Sequence, residues 1–201
     1  MIEKLADMVG VTPQAFLATI GIFGAAFLVL FIKMKIDEKK GVNSQEKEDI
    51  RKIVANLAPG GTEYTAAYAH SKEVYGGARV RREVYHYYAV GFRPDQTDHL
   101  WVIPIGMEGG KMVYTEPVKA CAETVEYIGG NAYQLLLKFP GKRQNFIQLT
   151  VDASNTRLGK ECQVNIQQPE EAEAFRAFAQ AFQERVNDTL GVDKKGRALH
   201  S

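Results

Sequence analysis

Cysteine is nearly absent from this sequence, with two in 201 residues, Cys121 and Cys162. Neither has a CxxC or CxxH companion, so no zinc or redox motif is formed, and both read as buried thiols of a reducing compartment rather than as a disulfide. Charge of one sign is lacking too. With 25 basic and 24 acidic residues the net charge is +1, which argues against a protein that works by broad attraction to nucleic acid or an anionic surface. Histidine is sparse, and His70, His86, His99 and His200 share no ligand spacing. The close carboxylate–imidazole group Asp95, Asp98 and His99 offers too few oxygens for a hard cation. No catalytic, metal or nucleotide motif stands out, so no cofactor and no catalytic or metal residue is assigned.

What the sequence does contain is one long apolar run. Ala15–Ile32, AFLATIGIFGAAFLVLFI, carries no charge, and as a helix it would cover roughly 27 Å, close to the thickness of a bilayer core. Its apolar surface comes from Ala15, Phe16, Leu17, Ile20, Ile22, Phe23, Phe27, Leu28, Leu30, Phe31 and Ile32. The preceding segment has Glu3 and Asp7 against Lys4, which is not the positive start of a secretion signal, so the run is expected to be retained as a membrane anchor. Lys33, Lys35, Lys39 and Lys40 follow it, and the positive-inside rule then puts the N-terminus out and the remaining chain in the cytoplasm. Gly21 and Ala25 make a small-xxx-small pair that would let two such helices approach as a homodimer. Asn187-Asp188-Thr189 matches a glycosylation acceptor that this topology keeps from the modifying machinery.

Beyond the run the chain divides by composition. Residues 1–14 form a short extracytoplasmic tail, 15–32 the spanning helix, 33–76 a charged juxtamembrane linker, 77–190 a β-rich domain, and 191–201 a disordered tail. The linker carries an amphipathic helix over 44–57, opened by a capping pattern at Asn43 and Glu46, with Ile50, Ile53, Val54 and Leu57 in one stripe that must dock on something. Thr62 to Tyr75 fits a short helix or an extended segment equally. From Val84 onward the period changes to two, and about seven short strands follow, with Pro104 marking an edge or a bulge. Connections this short require antiparallel pairing. A final helix begins near Pro169, with Phe175, Phe178, Phe182 and Val186 on its apolar face and Gly191 as its stop. The expected fold class is therefore α+β: a transmembrane helix, then a seven-stranded antiparallel barrel or sandwich closed by an amphipathic helix.

Seven antiparallel strands followed by one helix, from Gly77 to Leu190, resemble the pleckstrin-homology-like superfold in the order and length of their elements. That resemblance implies a bent barrel with one end plugged by the helix. Lipid-binding members place basic residues around the first strand loop, which here would be Arg93 to His99 with Asp95 and Asp98 opposing Arg93. Arg79, Arg81 and Arg82 are the candidates for contact with an anionic headgroup.

Two function classes follow. The first is a single-pass membrane protein, not an enzyme, whose cytoplasmic domain binds a protein or peptide near the bilayer. An exposed edge beside Pro104 or a groove beside the final helix would take the peptide. The alternative is an anchored enzyme or small-ligand binder with a pocket at the barrel mouth near Asp98, His99 or Cys121. It requires that Leu135, Leu137, Ile147 and Leu149 leave the barrel interior open.

Overall fold

A computed structural model describes residues 27–36, 44–77, 80–131, 133–141, 145–158 and 163–199. The chain divides into two compact units, Met1–Lys40 and Gly41–Ser201.

In the first unit residues 27–36 form a helix. Ten residues make about 15 Å of helix, half a bilayer core. Among the described residues no helix is long and apolar enough to cross a membrane. This corrects the single-pass anchor and the integral-membrane placement of N-terminus and domain drawn from it. Of the anchor residues, Phe27, Leu28, Leu30, Phe31 and Ile32 lie in this helix and are exposed. Ala15, Phe16, Leu17, Ile20, Ile22 and Phe23 lie outside the described residues, as do Gly21 and Ala25.

The second unit begins with helix α1, Gln45–Leu57. Its cap is Ser44, whose hydroxyl accepts from the Lys47 N–H at 3.3 Å, and not the expected Asn43. Ile50, Ile53 and Val54 are buried, as the stripe requires. Strands β1 (Thr65–Gly77), β2 (Val80–Arg93), β3 (Gln96–Glu108), β4 (Lys111–Tyr114) and β5 (Val118–Cys121) make the main antiparallel sheet, ordered β1-β2-β3-β4, with β5 also paired to β3. Strands β6 (Tyr127–Asn131), β7 (Gln134–Lys138) and β8 (Phe146–Leu149) form a second sheet, and β9 (Ser154–Arg157) with β10 (Gln163–Gln167) a third. Helix α2, Pro169–Leu190, closes the chain against Gly191 in a left-handed conformation.

The architecture is α+β, but several sheets replace the expected single seven-stranded barrel. The reason is that the main sheet is covered on both faces. Ala66, Tyr68, Ala89, Ile103 and Ile105 point to one side, where they pack with Ile50, Ile53 and Val54 of α1, with Val164 and Ile166 of the third sheet and with Leu158 just after β9. Ala67, Ala69, Val90, Phe92, Leu100 and Val102 point to the other, against Phe175, Phe178 and Phe182 of α2 and Leu135, Leu137 and Leu149 of the second sheet. Each fully buried Val, Leu, Ile or Phe side chain among these contributes about 1.5–3 kcal/mol. Gly91 lets α1 approach the sheet, since a Cβ there would stand 2.7 Å from Val54 Cγ1.

Pro104 lies inside the sheet, not on an exposed edge. On the outer side of β3, the ladder with β5 covers His99 to Val102 and the ladder with β4 covers Ile105 to Glu108. Pro104 falls between them, where its missing N–H disrupts neither ladder, and its carbonyl accepts from Thr115 N–H at 3.0 Å. The segment left undecided, Thr62 to Tyr75, is mostly β1, and α1 and β1 belong to the folded unit rather than to a linker. Gly191 to Leu199, expected as a disordered tail, forms a closed loop. The Asp193 carboxylate accepts from the backbone N–H groups of Lys195 (2.8 Å) and Arg197 (2.9 Å), and Arg197 Nε donates to it at 2.7 Å.

Candidate functional site

The buried apolar run of β1 ends at Ala69 and that of β2 begins at Tyr88, and toward the hairpin end lie Lys72, Glu73, Glu83 and His86. The hairpin nevertheless continues, with Cα partners from Ser71 and His86 out to Gly77 and Val80. Its distal half is therefore a two-stranded ribbon beyond the core. β3 joins β2 only from Tyr87 onward.

The outer edge of β1 is covered at its proximal end by two devices. Gln168 accepts from the Tyr68 N–H at 2.9 Å and donates to the Tyr68 carbonyl at 2.8 Å. Thr150 makes an antiparallel bridge to His70, with bonds of 3.0 and 2.8 Å. In a strand the N–H and C=O of one residue point to the same side, and the side alternates along the chain. Because Tyr68 and His70 point away from β2, so do the N–H and C=O of Lys72 and Val74 and the N–H of Gly76. Among the described residues no strand or side chain pairs with that stretch of edge.

The charges that flank it are spent within the hairpin. Lys72 Nζ lies 2.8 Å from Glu83 and 5.5 Å from the Tyr85 ring centroid. The hydrogen bond to Glu83 raises the Lys72 pKa above its ordinary value. The Tyr75 hydroxyl donates to Glu73, which raises the Tyr75 pKa, and His86 Nε2 stands 3.9 Å from the same carboxylate. Val74 and Tyr75 remain 47% and 54% exposed beside the open edge.

At the ribbon's root lies a recess of about 220 Å³ lined by Tyr68, His70, Tyr85, Tyr87, Asp152 and Arg157, among others. Tyr68 donates to the Arg157 carbonyl at 2.6 Å and stacks between His70 and Tyr87, with ring centroids at 6.4 and 6.2 Å. Burial raises the Tyr68 pKa well above the ordinary phenol value. His70 Nδ1 is 3.8 Å from Asp152, yet burial outweighs that carboxylate and lowers the imidazole pKa. Strand alternation divides the neighbouring tyrosines of β2: Tyr88 is buried in the core against α2, while Tyr85 and Tyr87 line this recess, Tyr87 also packing on the core beneath α1.

The residues suggested for a small-ligand pocket make a different, closed cluster. His99 Nε2 is 2.5 Å from the Tyr64 hydroxyl, which accepts from Trp101 Nε1 at 3.3 Å. Tyr64 and His99 Nε2 are thus hydrogen-bonded inside the cluster, and His99 Nδ1, buried without a hydrogen-bond partner of good geometry, stands 3.1 Å from the Asp98 carboxylate. Burial pushes the Asp98 carboxyl up, but its own backbone N–H and His99 hold it below its ordinary value. Asp95 is exposed in the β2–β3 turn and takes no part. Cys121 is opposite His99 in the β3–β5 ladder but buried, with Sγ 3.5 Å from Thr124 Oγ1. Cys162 lies outside the described residues. Leu135, Leu137 and Leu149 are in the core with Ile147 packed against it, so the interior that the small-ligand reading needs is filled.

A second recess, about 450 Å³, lies beside α2 between Asn131, Gln183, Glu184, Asn187, Lys194 and Leu199. Of the headgroup candidates, Arg82 is exposed on β2 opposite Tyr75, Arg79 lies outside the described residues, and no side-chain placement is described for Arg81. Among the described residues no three His, Cys, Asp or Glu side chains come together as a metal site. No protein family, characterised protein or solved structure was found to match the chain.

Proposed function

We propose that this chain is a protein-interaction module without catalytic chemistry that takes up an extended polypeptide strand along the outer edge of β1, from Lys72 to Gly76. One observation carries the reading: the backbone N–H and C=O groups of Lys72 and Val74 point outward beside exposed Val74 and Tyr75, where the coverage by Gln168 and Thr150 has ended. Edge strands of natural sheets are ordinarily blunted by charge, proline or a covering element. Here Lys72 and Glu73, the charges available for that task, are tied to Glu83 and Tyr75. Main-chain hydrogen bonds would supply affinity, and side chains alternating over the two ribbon faces would supply selectivity.

The alternative of small-ligand binding has the 450 Å³ recess beside α2 in its favour, a volume within the usual range for such sites. Two of its polar side chains, however, are committed elsewhere. Gln183 donates to the Ile128 carbonyl, and both amide atoms of Asn187 bond to the Ile128 backbone.

The test is selection of extended peptides on the purified full chain, followed by binding to a Val74→Pro variant. The Val74 N–H points away from β2, so proline there deletes no bond of the β1–β2 ladder but closes the edge. Selected peptides should lose binding to the variant. Equal binding to both proteins overturns the proposal.

A further inference from the structure

We infer that a second copy of this chain fits the open edge of β1, pairing antiparallel through a two-fold axis at Val74. The inference rests on the strand-addition reading and names its partner. An antiparallel mate must set outward-pointing residues opposite one another, so Lys72, Val74 and Gly76 can face only Lys72, Val74 or Gly76 of the other chain. The edge is bounded by the Thr150 bridge at His70 on one side and by the last pair of the β1–β2 ladder, Gly77 with Val80, on the other.

Those limits separate the registers. A two-fold at Lys72 opposes two ammonium groups and drives Val74 onto His70, whose bonds Thr150 holds. An axis at Glu73 opposes two carboxylates. An axis at Tyr75 or Gly76 leaves Lys72 of each copy with no residue of β1 opposite, since β1 ends at Gly77. With the axis at Val74, all the outward residues are matched. The two Val74 residues exchange N–H and C=O bonds, and the Gly76 N–H of each copy faces the Lys72 carbonyl of the other.

The side chains agree with this register. Val74 meets Val74, an exposed β-branched pair that would be covered. Glu73 comes opposite Tyr75 of the second copy, so the phenol that now donates to Glu73 within one chain has the same acceptor across the axis. Lys72 faces Gly76, and no like charge is opposed. Two hairpins then make a continuous four-stranded ribbon, ordered β2-β1-β1-β2. The contact is short, so the dimer should be weak and concentration-dependent.

Sedimentation equilibrium of the full chain over a concentration series tests this, with Val74→Pro and Val74→Lys variants. The wild type should dimerise reversibly. Both variants should dissociate about tenfold more readily or worse, the first by removing the central bonds and the second by opposing two charges. Register is read by oxidation of a mixture of Glu73→Cys and Tyr75→Cys chains, which should yield a linked dimer in excess of either variant alone. A wild type that stays monomeric, a dimer indifferent to both Val74 variants, or equal linking by each cysteine variant alone overturns the inference. If the chain is monomeric while selected peptides still bind in a Val74-dependent way, self-pairing falls and strand addition stands. If those peptides also bind Val74→Pro, both fall.

Discussion

The side-chain amide of Gln168 takes the place of a strand against Tyr68. Its Oε1 accepts from the Tyr68 N–H and its Nε2 donates to the Tyr68 carbonyl, while Nε2 also reaches the Asp152 carbonyl at 2.9 Å. Gln168 is 1% exposed and immediately precedes α2, so one residue both starts the helix and seals the edge of β1. Replacing it with alanine strands a buried donor and acceptor, each costing about 1–3 kcal/mol. Gln168→Glu keeps the size but turns a second oxygen on two carbonyls, and chemical denaturation should find it no less damaging than alanine. Wild-type stability in either variant would show that water satisfies the Tyr68 groups without the amide.

The far end of α2 repeats the device. Asn187 Oδ1 accepts from the Ile128 N–H at 2.8 Å, and Nδ2 donates to the Ile128 carbonyl at 2.7 Å. Since Gln183 also donates to that carbonyl, Asn187→Ala orphans mainly the N–H, at about 1–3 kcal/mol. Asn187→Asp should cost more, because an ionised carboxylate would face a carbonyl at the negative end of a helix. Its folded-state pKa would be raised, so the stability of that variant should be greater at pH 5 than at pH 8. Melting temperatures of the two variants across that range check the sign. The same burial removes Asn187 from consideration as an exposed glycosylation acceptor.

These two clamps mark the boundary of what the sequence could reveal. The apolar faces of α1 and α2 were legible because Ile50, Ile53 and Val54, and Phe175, Phe178, Phe182 and Val186, recur at helical spacing. β1 was not. Ala66, Ala67, Tyr68 and Ala69 are all buried because both faces of the sheet are covered, and a strand buried on both faces has no alternation to read. The same double coverage separates a sandwiched sheet from a barrel, and periodicity does not say which surface receives α1. Gln168 and Asn187 carry no local signal either, since their partners are backbone groups 100 and 59 residues away. Of the candidate site, the basic start of β2 at Arg81 and Arg82 was visible. The open edge was not, because it depends on where Thr150 stops.

A buried ion pair links the two helices on the opposite flank. Lys47 Nζ lies 2.8 Å from Glu171 Oε1 and donates to the Gln167 carbonyl at 3.1 Å, with side chains 7% and 13% exposed. Removing one member of such a pair costs up to about 3–5 kcal/mol where the remaining charge has no other partner. Lys47→Met and Glu171→Gln should each destabilise the fold by less than that, because Glu171 keeps Arg51 at 3.5 Å and Lys47 keeps the Gln167 carbonyl. The double variant should lose less than the sum of the single losses. A double-mutant cycle by urea denaturation measures that difference, and strict additivity would mean that the two charges do not interact.

His70 gives the root of the ribbon a dependence on pH. Burial lowers its pKa from the ordinary 6.5, with Asp152 opposing the shift, and the Tyr68 and Tyr87 rings complete its surroundings. A depressed pKa means that the unfolded chain binds the proton more readily. The contribution to stability is therefore fully present above about pH 6.5 and is lost as pH falls through the lower folded-state value. His70→Phe retains an aromatic ring against Tyr68 and the backbone bridge to Thr150 while removing the titration. The wild type should lose melting temperature between pH 7.5 and pH 5 more steeply than this variant. The protection factors of the His70 and Thr150 amides should fall over the same interval in the wild type alone. Parallel pH profiles for the two proteins would assign the acid sensitivity to other groups.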